Sequence, residues 1–193
     1  MFDESASAPA RWTWEVGTDW AEVHELLCAS DAHQAARNGL TAPVRNADTT
    51  KRWVRLGAVH VLRHGTEAVG SFTLSAYPPH GLDPAAYPPA ERPVYLQRLS
   101  VAPAHAGSLV GMRCLRRAVE LAGETGADAL RCEANPDLQA TRRMLVVLGF
   151  AQYGPVLAEG GVRRVQLQKS IATSKHVLAS RCDDPDESGV VSG

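Results

Sequence analysis

Polar and apolar positions alternate over residues 11–16, around Trp12 and Trp14, which predicts a first strand. Asp19 then stands as a helix cap with Glu22 three residues on. Trp20, Val23, Leu26 and Leu27 recur at helical spacing to about Ala36, and Asn38-Gly39 closes the element. A second helix is expected from about Asp48 through Trp53 and Leu56, ending at Gly57. Two short strands follow, 59–63 and 68–75, and the His64-Gly65-Thr66-Glu67 link between them is a hairpin signal. Residues 77–93 are rich in proline and read as a long surface loop, a length often given to binding loops. Residues 94–101 are the next strand. The clearest helix covers 108–125, with Met112, Leu115, Val119 and Ala122 on one face and Arg113, Arg116, Arg117, Glu120 and Glu124 on the solvated one. A buried strand at 129–133, a helix at 138–148 with Met144, Leu145 and Leu148 inward, and strands at 150–153 and 163–168 joined at Gly160-Gly161 complete the chain.

The resulting order is β-α-α-β-β-β-α-β-α-β-β. Strands and helices alternate only in the second half, so the fold class is α/β of the α+β kind. A mixed, mostly antiparallel sheet with helices on both faces is expected, not a doubly wound parallel one. One domain spans residues 11–170. Residues 1–10 are expected to be a flexible lead and 171–193 a disordered tail, since the segment from Cys182 to Gly189 is acidic and poor in large apolar residues.

Composition narrows the function classes. The formal net charge of -1 gives no footprint for nucleic acid or an anionic membrane. No apolar run approaches the roughly 20 residues that cross a bilayer, and Met1 to Ala10 lacks the basic and apolar regions of a secretory signal. The four cysteines, Cys28, Cys114, Cys132 and Cys182, form no CxxC pair, and no His pair has zinc-finger spacing. A cytoplasmic protein with reduced thiols and no metal is the expectation. Cys28, Cys114 and Cys132 fall within apolar patterns and read as core.

One unit carries chemistry. The strand ending in Leu99, Ser100 and Val101 runs through Ala102-Pro103-Ala104-His105-Ala106-Gly107-Ser108-Leu109-Val110-Gly111 into a helix. Free N–H groups and the dipole of a helix start suit an anion such as a pyrophosphate, and glycine allows close approach. A purely structural strand-to-helix turn has the same glycine spacing. The unit is neither a Walker A loop, because no Gly-Lys-Ser/Thr follows, nor a GxGxxG.

Those residues resemble the coenzyme loop of the GCN5-related N-acetyltransferase (GNAT) family, a Val-x-Pro followed by Arg or Gln and Gly-x-Gly-x-Gly/Ala. Val101, Pro103, Gly107 and Gly111 match, whereas Ala106 replaces the usual Arg or Gln and Leu109 the middle glycine. Asn135, the helix after it and Leu148-Gly149-Phe150 match the family's second half. The motif-level resemblance covers residues 95–153, and the order of elements extends it to 12–168.

The resemblance implies a GNAT fold and transfer of an acetyl group from acetyl-CoA to a small-molecule amine. It implies that the amides of His105, Ala106, Gly107, Ser108, Leu109 and Val110 hold the pyrophosphate, with Gly107 and Gly111 as steric allowances. The backbone at Leu99, Ser100 and Val101 would hold the pantetheine as an added strand does. Asn135 and Arg142 are the further coenzyme candidates, a surface role being the alternative for Arg142 and its neighbour Arg143. The family often places a Glu base on the central strand, where this chain has Tyr95 and Gln97. It often places a Tyr acid in the last helix, where this chain has Leu145. Glu133 is the candidate replacement base, a pairing acid at the mouth of the sheet being the alternative. Gln97 could orient a water or the acceptor, and Tyr95 could donate a proton or be a packed strand aromatic. Asp31, His33, Arg37, Asn46 and residues 77–93 lie where the family selects its acceptor. Two other readings stay open: a GNAT-fold partner module without turnover, and a GNAT-fold enzyme that hydrolyses or decarboxylates acyl-CoA. Family members often form homodimers.

Overall fold

The computed structural model describes residues 10–159 and 162–172. The expected lead and most of the expected tail, with Cys182 and the Gly160-Gly161 turn, lie outside the described residues. The elements are β1 (Trp12–Val16), α1 (Trp20–Asn38), α2 (Ala47–Arg55), β2 (Val59–His64), β3 (Glu67–Ser75), β4 (Pro93–Val101), α3 (Val110–Glu124), β5 (Ala129–Ala134), α4 (Gln139–Val147), β6 (Ala151–Glu159) and β7 (Val162–Ser170). They form one seven-stranded sheet in the order β1-β2-β3-β4-β5-β7-β6. Every pairing is antiparallel except β4 with β5. The mixed, mostly antiparallel sheet expected from the pattern of elements is therefore present.

Local chemistry explains the element ends. The Asp19 carboxylate accepts from the Ala21 and Glu22 amides at 2.8 and 3.2 Å, and Gly39 closes α1 at φ 63°. Glu22 does not complete a capping box; it reaches across to Arg63 at 2.7 Å. The cap of α2 is Asn46, whose side chain accepts from the Asp48 amide, so the helix begins before the expected Asp48. Trp20 is 38% exposed and lies under Lys51 Nζ, outside the apolar stripe expected to hold it.

Two helices cover each face. Val23 of α1 and Trp53 of α2 pack on Val59 and Val61 of β2. On the other face Val110, Cys114, Leu115, Ala118 and Ala122 of α3 and Leu145 of α4 pack on Phe72, Leu96, Leu130, Val165 and Leu167. The α3 face is thus shifted from the expected one: Cys114 and Ala118 are fully buried, while Met112 and Val119 are only partly so. Burial alone pushes the Cys114 thiol up to about 12, as expected of a core thiol.

The close seating of α3 depends on Gly70 of β3. A Cβ there would stand 2.8 Å from Val110 Cγ1 and 2.9 Å from Cys114 Sγ. Gly70→Ala is expected to destabilise the fold by about 1–3 kcal/mol through overpacking. Chemical denaturation would show a lower midpoint at unchanged slope. An unchanged midpoint would mean that α3 retreats freely.

The last hairpin departs from expectation. β6 runs on to Glu159 instead of stopping at Tyr153. Gly154-Pro155 reads as a strand breaker, but here it makes a bulge: the β6–β7 register shifts between Tyr153 and Leu157, with Gly154 at φ 70°. The domain also holds one residue past the expected boundary, since the Ile171 amide donates to Asp128 O at 2.9 Å and its side chain joins the core. Among the described residues no helix is long and apolar enough to cross a membrane.

Candidate active site

The site begins as a fork. β4 and β5 pair in parallel from Pro93 with Ala129 to Leu96 with Cys132, and there the ladder stops. Gln97 and Glu133 are the first residues past it, one on each prong. A bulge opens the fork: the β3–β4 register shifts between Ser71 and Thr73, and Arg98 takes φ 54°. Two consecutive polar residues, Gln97 and Arg98, interrupt the alternation Val94, Leu96, Leu99, Val101 that faces α3. That interruption is the signal of the bulge in the sequence, and Arg98 was missed.

Beyond the bulge the backbone of β4 borders the gap. The Ala102 amide bonds Val69 O of β3 at 2.9 Å, so by ladder alternation the Val101 amide faces away from β3. That amide is already committed, donating to Ser30 Oγ of α1 at 3.0 Å. Ser100 turns its hydroxyl onto Ser71 Oγ at 2.7 Å, in a fully buried pair. In the β3 register Ser100 pairs with Ser71 and Val101 with Gly70, and among the described residues Leu99 is the one of the three strand positions expected to face a pantetheine that has no paired residue.

The loop narrows in the same way. Pro103–His105 forms a single 3-10 turn. It uses the His105 amide on Ala102 O, the Ala106 amide on Pro103 O and the Ser108 amide on His105 O. The Ser108 hydroxyl donates to His105 O and accepts from the Val110 amide at 3.3 Å, so α3 starts at Val110, not Ser108. Of the six amides expected to face a pyrophosphate, His105, Ala106, Ser108 and Val110 are therefore bonded within the protein. The amides of Gly107 and Leu109, with Gly111 and Met112 in the first turn, find no partner among the described residues. Leu109, at the cap position, supplies no side-chain bond and is 71% exposed. Gly107 has φ 80° and open space where a Cβ would stand. Gly111 serves a different purpose, because a Cβ there would press on Met144 of α4 at 3.2 Å. It lets two helices approach rather than a ligand.

On the α1/α2 side of the sheet, Glu133 opens into a cavity of about 330 Å³ with Asp83, Gly154, Leu157, Arg164 and Gln166 in its wall. Burial lifts the Glu133 carboxyl above the ordinary carboxylate range, and Arg164, whose Nη1 is 3.9 Å away, only partly offsets this. A raised carboxyl in a cleft is the environment of a general base or acid. The β6 bulge that extended the last hairpin also forms a wall of this cavity.

The opposite wall, in the proline-rich loop, is pinned from below. Arg131 of β5 is 3% exposed and donates to Gln168 Oε1 at 2.8 Å, to the Tyr95 hydroxyl at 3.2 Å and to Pro88 O of the loop at 2.7 Å. Its guanidinium lies over the Tyr87 ring, 4.9 Å from the centroid, and the Tyr87 hydroxyl donates to Cys132 O. Tyr95 is thus a packed hydroxyl that accepts from Arg131, not a proton donor at the open part of the fork. Gln97 faces the loop too, its Nε2 reaching Tyr77 O at 3.4 Å.

The remaining candidates separate from the fork. The Asn135 side chain accepts from the Asp137 amide and shapes the turn into α4. Arg142 donates from Nη2 to Gln152 Oε1 of β6 at 3.1 Å, while its buried Nε has no partner among the described residues. Leu145 is 2% exposed in the core, so α4 sends no proton donor inward at that position. His105 packs edge-on to Trp12 and His64. No cluster of His, Cys, Asp or Glu suited to a metal occurs among the described residues.

Comparison with known proteins adds the following. The sequence model of the family described as the Acetyltransferase (GNAT) family matches residues 18–150. An acetyltransferase of the GNAT family from Listeria monocytogenes has a similar structure, with TM-score 0.65, 18% identity, and 82% of this chain covering 94% of that one. One from Streptococcus agalactiae gives TM-score 0.66, 15% identity and coverages of 84% and 97%. The Salmonella typhimurium protein yncA, solved with its cofactor acetyl-CoA, gives TM-score 0.61, 18% identity and coverages of 90% and 100%. At such identities these structures establish the fold. Among curated proteins no sequence matches.

Proposed function

The chain belongs to the acetyltransferase (GNAT) family, and from that premise we propose that it moves an acetyl group from acetyl-CoA to the amine of a small molecule, with Glu133 as the base. The observation that carries this reading is the fork. It ends the β4–β5 ladder with a strand edge on one prong and the raised carboxyl of Glu133 on the other, and β4 leads into an uncapped helix start with free amides at Gly107, Leu109, Gly111 and Met112.

These residues fit the donor. Free amides at a helix start suit a pyrophosphate, and the Leu99 backbone can bond an amide-bearing chain as a strand would. The donor supplies an activated thioester. The protein holds the pieces and moves a proton. An amine must be neutral to attack, and Glu133 can accept the proton that the nitrogen loses. The C–N bond forms, the C–S bond breaks, and the departing thiolate takes up a proton, so one is lost and one gained. Gln97 cannot act as a base; bonded to Tyr77 O, it positions the loop beside the reacting atoms. The cavity beside Glu133, about 330 Å³, suits a small acceptor.

Calorimetric titration with acetyl-CoA, followed by an amine screen with thiol release as readout, tests the proposal. Micromolar binding and amine-dependent release are the expected results. Binding with release that needs no amine would replace transfer by hydrolysis. A folded protein that ignores millimolar acetyl-CoA would leave a partner module.

A further inference from the structure

The β4 bulge re-aims Arg98. It is the sole non-glycine residue with positive φ among the described residues, and strain of this kind persists where the surroundings enforce it. The side chain runs half-buried toward α1 and α2 and donates from Nη2 to Thr50 Oγ1 at 2.5 Å. Thr50 is 1% exposed and lies 3.0 Å from His24 Nδ1, so its hydroxyl links Arg98 to the histidine. The next group along, Cys28, is 3.6 Å from His24 Nε2.

No carboxylate touches this guanidinium among the described residues. The acid that acts on it is Asp31, but both Asp31 oxygens are taken by Arg45, Nε to Oδ2 at 2.6 Å and Nη2 to Oδ1 at 3.2 Å. Burial foremost, and then repulsion from Arg45, lower the Arg98 pKa, whereas Asp31 raises it. Two guanidinium groups thus share one carboxylate, which leaves one positive charge in excess. A half-buried cation without an anion is costly, and a guanidinium fork fits a carboxylate in two-point geometry. Arg98 is adjacent to Gln97 at the opening of the fork, on the same side of the sheet as Glu133.

We propose that Arg98, backed by Arg45, is the subsite for a carboxylate carried by the acceptor, so that the substrate class is an amino acid or another carboxylated amine. This rests on the acetyl-transfer reading.

The test compares the common amino acids with their amides and decarboxylated amines, and includes phosphoethanolamine as a phosphate-bearing amine. Wild type is expected to favour the carboxylated member in kcat/KM by on the order of tenfold, the worth of one charge-assisted bond. In Arg98→Gln the preference for the carboxylated member should vanish through KM. Arg45→Gln leaves Arg98 in place but frees Asp31 to neutralise it. It should weaken the preference in the same direction, which a merely structural role for Arg98 would not produce. This second variant also serves if Arg98→Gln fails to fold. A preference unchanged in both variants, or amides favoured by wild type, overturns the carboxylate subsite while acetyl transfer stands. Phosphoethanolamine outpacing every carboxylate overturns the carboxylate in favour of a phosphate. If wild type acetylates no amine at all, the acetyl-transfer reading fails and this inference with it.

Discussion

Glu133→Gln is expected to lower kcat by about 10²- to 10⁴-fold, the usual contribution of a positioned base, with acetyl-CoA affinity unchanged. Glutamine keeps the size and most of the polarity of the side chain, so the cavity should survive. What is lost is the capacity to take a proton. The pH dependence gives a second readout. Burial raises the Glu133 pKa above the usual carboxylate value, and the base works only when ionised. The wild-type rate should therefore rise with pH through an acid limb placed above the ordinary carboxylate range. That limb should be absent in the variant, whose remaining pH dependence reflects the amine alone. A kcat within threefold of wild type, with the acid limb intact, would mean that water or the substrate removes the proton unaided.

The second large effect is expected at the loop. Gly107→Glu should weaken acetyl-CoA binding by at least about 100-fold. Two physical terms act together. A non-glycine residue at φ 80° is strained, which loosens the turn that orders the neighbouring amides. A carboxylate beside free N–H groups would also occupy the proposed phosphate site and repel a phosphate there. Open space around the Cβ position means that the fold itself should tolerate the change. Gly107→Ala separates the two, since it carries the strain without the charge. Titration calorimetry on both variants, with thermal melting as the control for folding, measures the split. Unaltered affinity in Gly107→Glu would place the phosphates elsewhere.

Much of this fold was legible because its elements are amphipathic with clear breakers. Asp19 and Gly39 marked helix ends that the structure keeps. At Glu133 the sequence left a base and a pairing acid open, and the residue lines a cavity with Arg164 Nη1 3.9 Å away. Other features depended on neighbours distant in sequence. Gly154-Pro155 looks like the end of a strand, and only the partner β7 turns it into a bulge. Arg131, between Leu130 and Cys132, gave no sign that it binds the carbonyl of Pro88, 43 residues away. Which loop amides remain free could not be read from glycine spacing either. That is decided by the 3-10 turn at Pro103–His105 and by the Ser108 hydroxyl. Sequence could not choose between a donor and a packed aromatic at Tyr95 for a related reason: its hydroxyl is used by an arginine that enters from the next strand.

The fork has a mechanical consequence. β1 to β4 make one antiparallel slab, and β5, β7 and β6 make another. In the plane of the sheet, four residue pairs stitch the slabs together. The seam runs through the middle of the molecule instead of its rim. A donor lying along β4 past Leu96 would supply the missing rungs and tie the slabs from within. Ligand that binds only the folded chain adds to its stability by mass action. The supply of coenzyme would then set how long the protein lasts as well as how fast it works.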